Sequence, residues 1–222
     1  MQAGEMIATL SIHRLLPPEV PGTTPLTRPV EFHEIVRGDG GHYLFQQQGD
    51  HWQDPFNPEV SLLAQGSNWL FIDGSDQQEL YDEQGRLIQI TTRQGHVTHL
   101  NHDLASTEGG DDNASTLDKV IGPFGHTLTF NYQIDGKLAE INTSDGVIQY
   151  DYDTSGNLIS VTYTDGSTNL YHYENSVFLH HLTGITDEKG KRFASWDYDG
   201  QGKVTRSEHA HQSEQVALTY ND

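Results

Sequence analysis

The sequence predicts an all-β fold built from tandem antiparallel hairpins. Three observations carry that expectation: a turn-rich aromatic composition, weak helical periodicity after residue 30, and anchor residues that recur in register along the chain. The 222 residues include 22 Gly and 10 Tyr, with 34% in the apolar set. Glycine and polar turn formers, mixed with tyrosine and threonine, suit strands and tight turns. Strand-like runs such as His42–Gln46, Trp69–Asp73 and Val147–Tyr152 are divided by Gly-containing turns.

The recurrence is the strongest signal. Gly74, Gly95, Gly125, Gly146, Gly166 and Gly190 are separated by 21, 30, 21, 20 and 24 residues. Five positions before each of the last five stands a β-branched residue: Ile90, Val120, Ile141, Val161 and Ile185. Three positions earlier again stands a leucine: Leu87, Leu117, Leu138, Leu158 and Leu182. Downstream comes an aromatic or large apolar residue and, two on, usually a tyrosine, as in Phe130/Tyr132, Tyr150/Tyr152, Tyr171/Tyr173 and Trp196/Tyr198.

Each part of the unit has a physical reading. Residues at i and i+2 share one face of a strand, so Tyr150 and Tyr152 point the same way. Asp153-Thr154-Ser155-Gly156 is a turn in which Asp bonds its own backbone and Gly supplies positive φ. The next strand opens at Leu158. Leu158 and Val161 would face opposite sides of a regular strand, so their repeated spacing predicts a bulge or an offset strand start. Thr164-Asp165-Gly166 turns the chain again. Each unit is therefore two strands and two turns, and consecutive units should pair as one antiparallel ribbon.

Two register breaks mark insertions. His102 occupies the tyrosine slot, and nine extra residues precede Leu117; they fall in the acidic stretch 105–115. Three extra residues lie around Ser176–His180. Upstream, residues 14–30 hold five of the eight prolines, a composition for an extended segment. The expected organisation is thus a Pro-rich irregular linker at 1–30, degenerate strands at 31–73, and regular repeats at 74–222 with the acidic insertion at 105–115.

Charge and composition exclude several functions. Twelve Lys+Arg against 32 Asp+Glu give a formal charge of −20, which argues against nucleic acid and anionic membranes. There is no cysteine, hence no disulfide frame and no thiol chemistry. No apolar run reaches membrane-spanning length, so no membrane insertion is expected. Residues 1–20 lack the basic start and apolar centre of a Sec signal peptide.

Candidate chemistry is sparse. Asp197, Asp199 and Glu208 stand at positions 1, 3 and 12 of a near EF-hand loop, a calcium candidate. The hairpin reading accounts for the same Asp-Tyr-Asp at 151–153 and is preferred, leaving no metal and no cofactor expected. His96, His99 and His102 share a strand, but His99 faces away from the other two. His180, His181, His209 and His211 fall in turn-rich stretches and read as solvated. No catalytic motif appears, so the chain is expected not to be an enzyme.

The lines Tyr81-Asp82-Glu83-Gln84-Gly85-Arg86-Leu87, Tyr152-Asp153-Thr154-Ser155-Gly156-Asn157-Leu158 and Tyr198-Asp199-Gly200-Gln201-Gly202-Lys203-Val204 all read Y-D-x-x-G-x-[L/V]. This resembles the YD repeat of the RHS family, which includes bacterial polymorphic toxins, the B and C components of Tc toxins, and teneurins. The repeat anchors are Tyr81, Gly85, Leu87, Tyr132, Gly136, Leu138, Tyr152, Gly156, Leu158, Tyr198 and Gly202. The resemblance implies a curved, twisted sheet, an open arc of an RHS-type β-shell, as a fragment or orphan piece of it. It implies a structural role in enclosing or presenting a toxin or effector domain of an exported, secreted or cell-surface protein. The expected partners are that domain or the rest of the shell, with open β-edges favouring oligomers. The alternative is a cell-surface module binding carbohydrate or protein through exposed aromatic rows such as Tyr150 and Trp196.

Overall fold

The computed structural model describes residues 9–15, 30–49, 51–104, 115–209 and 213–220. Among these residues every regular element is a strand. The chain divides into two compact units, Met1–Leu128 and Thr129–Asp222.

The first unit is a meander of β1 (Thr9–Leu15), β2 (Val30–Val36), β3 (His42–Gln48), β4 (His51–Gln53), β5 (Ser61–Gln65), β6 (Asn68–Ile72), β7 (Gln78–Tyr81), β8 (Leu87–Thr91), β9 (Val97–Leu104) and β10 (Ser115–Ile121). Each strand pairs antiparallel with the next. One element departs from expectation. β1 lies inside the stretch read as an irregular linker and pairs with β2 from Thr9↔Val36 to Leu15↔Val30. Its sequence alternates, Leu10 is buried and Ser11 exposed, and the run stops just before the prolines begin. The acidic insertion at 105–115 lies outside the described residues, apart from Ser115, which opens β10.

This unit has a closed core. Ile35, Phe45, Leu62, Phe71 and Tyr81 have no exposed surface. Phe71 of β6 meets Phe45 and Tyr43 of β3 at 6.1 and 5.1 Å between ring centroids. His33 of β2 is buried between Trp52 of β4 and Trp69 of β6, at 3.9 and 4.2 Å. Rings from strands that are not neighbours in the meander therefore touch, and the sheet bends around them. The Leu10 N–H of β1 donates to the Gly85 carbonyl at 2.9 Å, carrying the first strand onto the β7–β8 turn.

The second unit begins in β11 (Thr127–Tyr132) and continues through β12 (Leu138–Thr143), β13 (Gly146–Tyr152), β14 (Leu158–Thr162), β15 (Thr168–His172), β16 (Gly184–Thr186), β17 (Arg192–Tyr198), β18 (Val204–His209) and β19 (Ser213–Ala217). Within it, consecutive strands again pair antiparallel, the expected ribbon. Register gives its sheet two different faces. Phe130↔Ile141↔Ile148 and Tyr150↔Val161↔Asn169 lie on one. Glu140↔Gln149↔Thr162 and Asp151↔Ser160 lie on the other. The aromatic face is only half-buried; of the large apolar side chains here, only Leu138 and Val161 are buried.

The predicted bulge is present, one residue after the anchor leucine. Tyr152 pairs with Leu158 and Asp151 with Ser160, leaving Ile159 as the extra residue. The same shift follows Leu87, Leu138 and Val204. The extra residue reverses the phase of the strand, so Leu158 and Val161 come to one side.

Candidate functional site: the tyrosine lock and its turn

The seven-residue line closes its own hairpin. Tyr81, Tyr132, Tyr152 and Tyr198 pair directly with Leu87, Leu138, Leu158 and Val204. After Tyr81, Tyr152 and Tyr198 an aspartate folds the turn, a position that Gln133 takes after Tyr132. Asp153 Oδ1 accepts from the N–H groups of Ser155 and Asn157 at 2.9 and 2.8 Å. Asp82, Asp199, Asp187 and Asp73 cap their own turns in the same i+2, i+4 pattern. The glycine then takes a left-handed conformation, φ 79° at Gly85 and 84° at Gly156, which side chains with a Cβ rarely adopt. Gly136 and Gly202 hold the same conformation, both at 81°. These donors hold the Asp153 carboxyl below its ordinary value, led by the Asn157 side chain, and that of Asp199, led by the Lys203 N–H.

The tyrosine reaches out of its own hairpin. Tyr152 Oη donates to the Leu138 carbonyl at 3.0 Å, Tyr198 Oη to Leu182 at 2.7 Å, and Tyr220 Oη to Val204 at 2.9 Å. His102, which replaces tyrosine in its unit, donates through Nε2 to the Leu87 carbonyl at 2.8 Å. Each donor thus binds the anchor carbonyl of the unit before it, 14 to 16 residues back. Three of those acceptors, Leu87, Leu138 and Val204, sit immediately before a bulge, where the ladder is locally disrupted.

Tyr81 does something else. It is fully buried, and its Oη donates to Glu79 Oε2 at 2.7 Å. Glu79 Oε1 accepts from Arg37 Nη2 at 2.7 Å, and Arg37 Nη1 lies 3.9 Å from Asp73. Burial, then the Glu79 charge, push the Tyr81 hydroxyl well above its ordinary pKa. At this turn a Cβ on Gly85 would overlap the Leu10 carbonyl oxygen. A further buried carboxylate, Asp54, accepts from the N–H groups of Leu44, Phe56 and Asn57 and from Asn57 Nδ2. Burial alone would raise its pKa, but these four donors hold it below the ordinary value. Sequence reading missed Asp54, Arg37 and Glu79. Only Glu79 carried a signal, because it shares a strand face with Tyr81.

The histidines are not simply solvated. His181 stacks on Phe178 at 4.8 Å, meets the edge of Tyr198 at 4.6 Å, and donates to the Gly202 carbonyl at 3.2 Å. His180 donates to Asn157 Oδ1 at 2.7 Å. The inserted loop is therefore pinned to the turns at 153–157 and 199–203. His209 ends a strand rather than a turn, with its ring 5.2 Å from Phe193; His211 lies outside the described residues. His99 is exposed while His102 is half-buried, and His96 precedes the strand, 5.3 Å from Phe124. Asp197 and Glu208 both bind Arg206, at 2.6 and 3.3 Å, while Asp199 caps its turn. Among the described residues no three His, Asp or Glu side chains converge as a metal set.

Residues 135–168 match the family model of the RHS repeat. Comparison with curated proteins gives no match. Among solved structures, the TcdB2-TccC3 complex without its hypervariable C-terminal region is similar at 11% identity and TM-score 0.45, over 97% of this chain and 15% of that one. TcdB2-TccC3-TEV gives 11% and 0.44 over the same shares. A porin-like protein from Bacteroides uniformis gives 10% and 0.29, over 98% of this chain and 95% of that one. The chain spans about 15% of the Tc chains, and likenesses this remote place no function. The match at 135–168 agrees with the motif: the chain carries an RHS repeat.

Proposed function

We propose that the chain is a non-enzymatic structural segment, a stretch of wall in an RHS-type β-shell that encloses or presents a toxin or effector domain of an exported protein. The observation that supports this reading is the use of the motif's polar groups. The tyrosine hydroxyl holds the preceding unit, the aspartate holds its turn, and the glycine permits that turn. The units anchored at Leu87, Leu138, Leu182 and Val204 are thus each completed by a neighbour, the logic of a repeat wall. The carbohydrate reading, which needs exposed rows at Tyr150 and Trp196, has less support, because both side chains are half-buried.

Electron microscopy of the protein purified from its producing cells, paired with limited proteolysis, tests the proposal. A hollow β-walled particle that shields a second domain from protease is the expected result. An open ribbon beside a protease-exposed domain overturns it.

A further inference from the structure

Apart from Tyr132, the tyrosines of the second unit fall into two chemical groups. Tyr152, Tyr198 and Tyr220 donate to backbone carbonyls. Tyr150, Tyr171 and Tyr173 make no such bond, and the Tyr163 hydroxyl accepts only from Asn169 Nδ2, at 3.1 Å. Register places the second group together. Tyr150 stands opposite Val161, which stands opposite Asn169; Tyr163 lies two residues beyond Val161, and Tyr171 and Tyr173 two and four beyond Asn169. Alternation puts Tyr150, Val161, Asn169 and Tyr171 on one face, and Tyr163 and Tyr173 follow β14 and β15 directly in the same phase. At its centre Val161 is only 6% exposed. Carboxylates border the patch: the Glu188 charge acts on Tyr171 and the Asp153 charge on Tyr173.

The chain itself shows what such a surface holds. At the margin of the patch the Lys137 ammonium pairs with Asp135 and lies over the Tyr152 ring, 5.8 Å from its centroid. Lys203 lies over the Tyr220 ring in the same way, at 5.1 Å. A cation held between an aromatic face and a carboxylate is a favourable arrangement where water is partly excluded. The pattern recurs at Tyr150, Tyr163, Tyr171 and Tyr173, where rings and carboxylates are present and, among the described residues, no such cation–ring contact is formed. With a formal charge of −20, the chain attracts cationic partners at long range.

We propose that the Tyr150–Tyr163–Tyr171–Tyr173 face docks a lysine-rich extended polypeptide, with ammonium groups seated on the rings and paired to Asp153 and Glu188. This inference concerns the chemistry of a partner and stands whether or not the sheet belongs to a closed shell.

Anisotropy of a fluorescein-labelled decalysine peptide, titrated with the full chain at physiological ionic strength, is the test. Saturable binding is expected, with Kd raised about 10-fold in Tyr150→Leu/Tyr171→Leu and about 3-fold in Glu188→Gln. The conservative Tyr150→Phe/Tyr171→Phe keeps the rings and should bind like the parent. Glu188 is an exposed turn residue, so that variant remains informative if the leucine pair fails to fold. Binding unchanged in both Tyr→Leu and Glu→Gln variants would show attraction by net charge alone and overturn the proposal. So would displacement of the peptide by stoichiometric choline, which would mark the patch as a small quaternary-ammonium site.

Discussion

Tyr81 and Tyr152 open the same seven-residue line in different units, yet their hydroxyls have different fates. In the first unit Tyr81 turns inward, fully buried on Glu79 and through it on Arg37. In the second, half-buried Tyr152 turns along the ribbon to the Leu138 carbonyl. The turn, the left-handed glycine and the bulge are alike in both. The motif therefore specifies the hairpin, while long-range packing decides what its tyrosine holds. Where the sheet bends around a core, one buried ionic network takes the hydroxyl; where it runs as a ribbon, the preceding unit does.

The largest test of this contrast is in the cores. Phe71→Ala should cost about 3–5 kcal/mol, and Val161→Ala about 2 kcal/mol. Urea unfolding of Phe71→Ala in a Trp196→Phe background, in which Trp52 and Trp69 report the first unit, and of Val161→Ala in the parent, in which Trp196 adds a report of the second, checks it. Equal losses for the two substitutions would erase the distinction. Next come the glycines. Gly136→Ala meets open space and should cost the left-handed penalty alone, about 1–2 kcal/mol. Gly85→Ala adds an overlap with the Leu10 carbonyl and should cost more, with loss of amide-exchange protection in β1. Thermal melts and hydrogen exchange on the pair would show whether β1 truly sits on that turn.

A smaller effect separates the tyrosines. Tyr152→Phe deletes one neutral, half-buried hydrogen bond and should cost about 1 kcal/mol. Tyr81→Phe removes a donor to a buried carboxylate and should cost about 1.5–3 kcal/mol. Chemical denaturation at neutral pH compares them, and a larger loss for Tyr152→Phe would reverse the argument. The smallest effect per group is that of pH. Asp54 and Asp73 of the first unit, and Asp153 and Asp199 of the second, all sit below the ordinary 3.8 when folded. Folding favours their ionised forms, so this contribution is complete above that value and disappears as pH falls through the lower folded values. Urea midpoints measured at decreasing pH should fall below about pH 4, and midpoints that rise there would contradict the capping account.

Local chemistry was legible in the sequence. The three-residue spacing from Leu158 to Val161 foretold the bulge, and the phase of the repeat put His102 in a tyrosine slot, where it makes the tyrosine's hydrogen bond. Both follow from positions within one unit. What stayed hidden depends on residues far apart in sequence. Nothing periodic links Arg37 to Glu79, Leu10 to Gly85, or His181 to Gly202, since each arises only when the sheet bends or an inserted loop folds back. Asp54 was hidden because its four donors come from a strand ten residues earlier and from an irregular turn. Within the irregular linker expected at 1–30, β1 showed itself in apolar alternation, a pattern eclipsed by the prolines that follow.

The direction of the tyrosine bond has a consequence in time. The carbonyls of Leu87, Leu138, Leu182 and Val204 each wait for a tyrosine hydroxyl, or for the His102 imidazole, that is translated 14 to 16 residues later. At ribosomal speeds of about 5–20 residues per second, that delay is on the order of one to three seconds. At these four positions a hairpin made earlier gains this bond only after the later donor has been added. These four closures therefore follow the order of synthesis, from the amino to the carboxyl end.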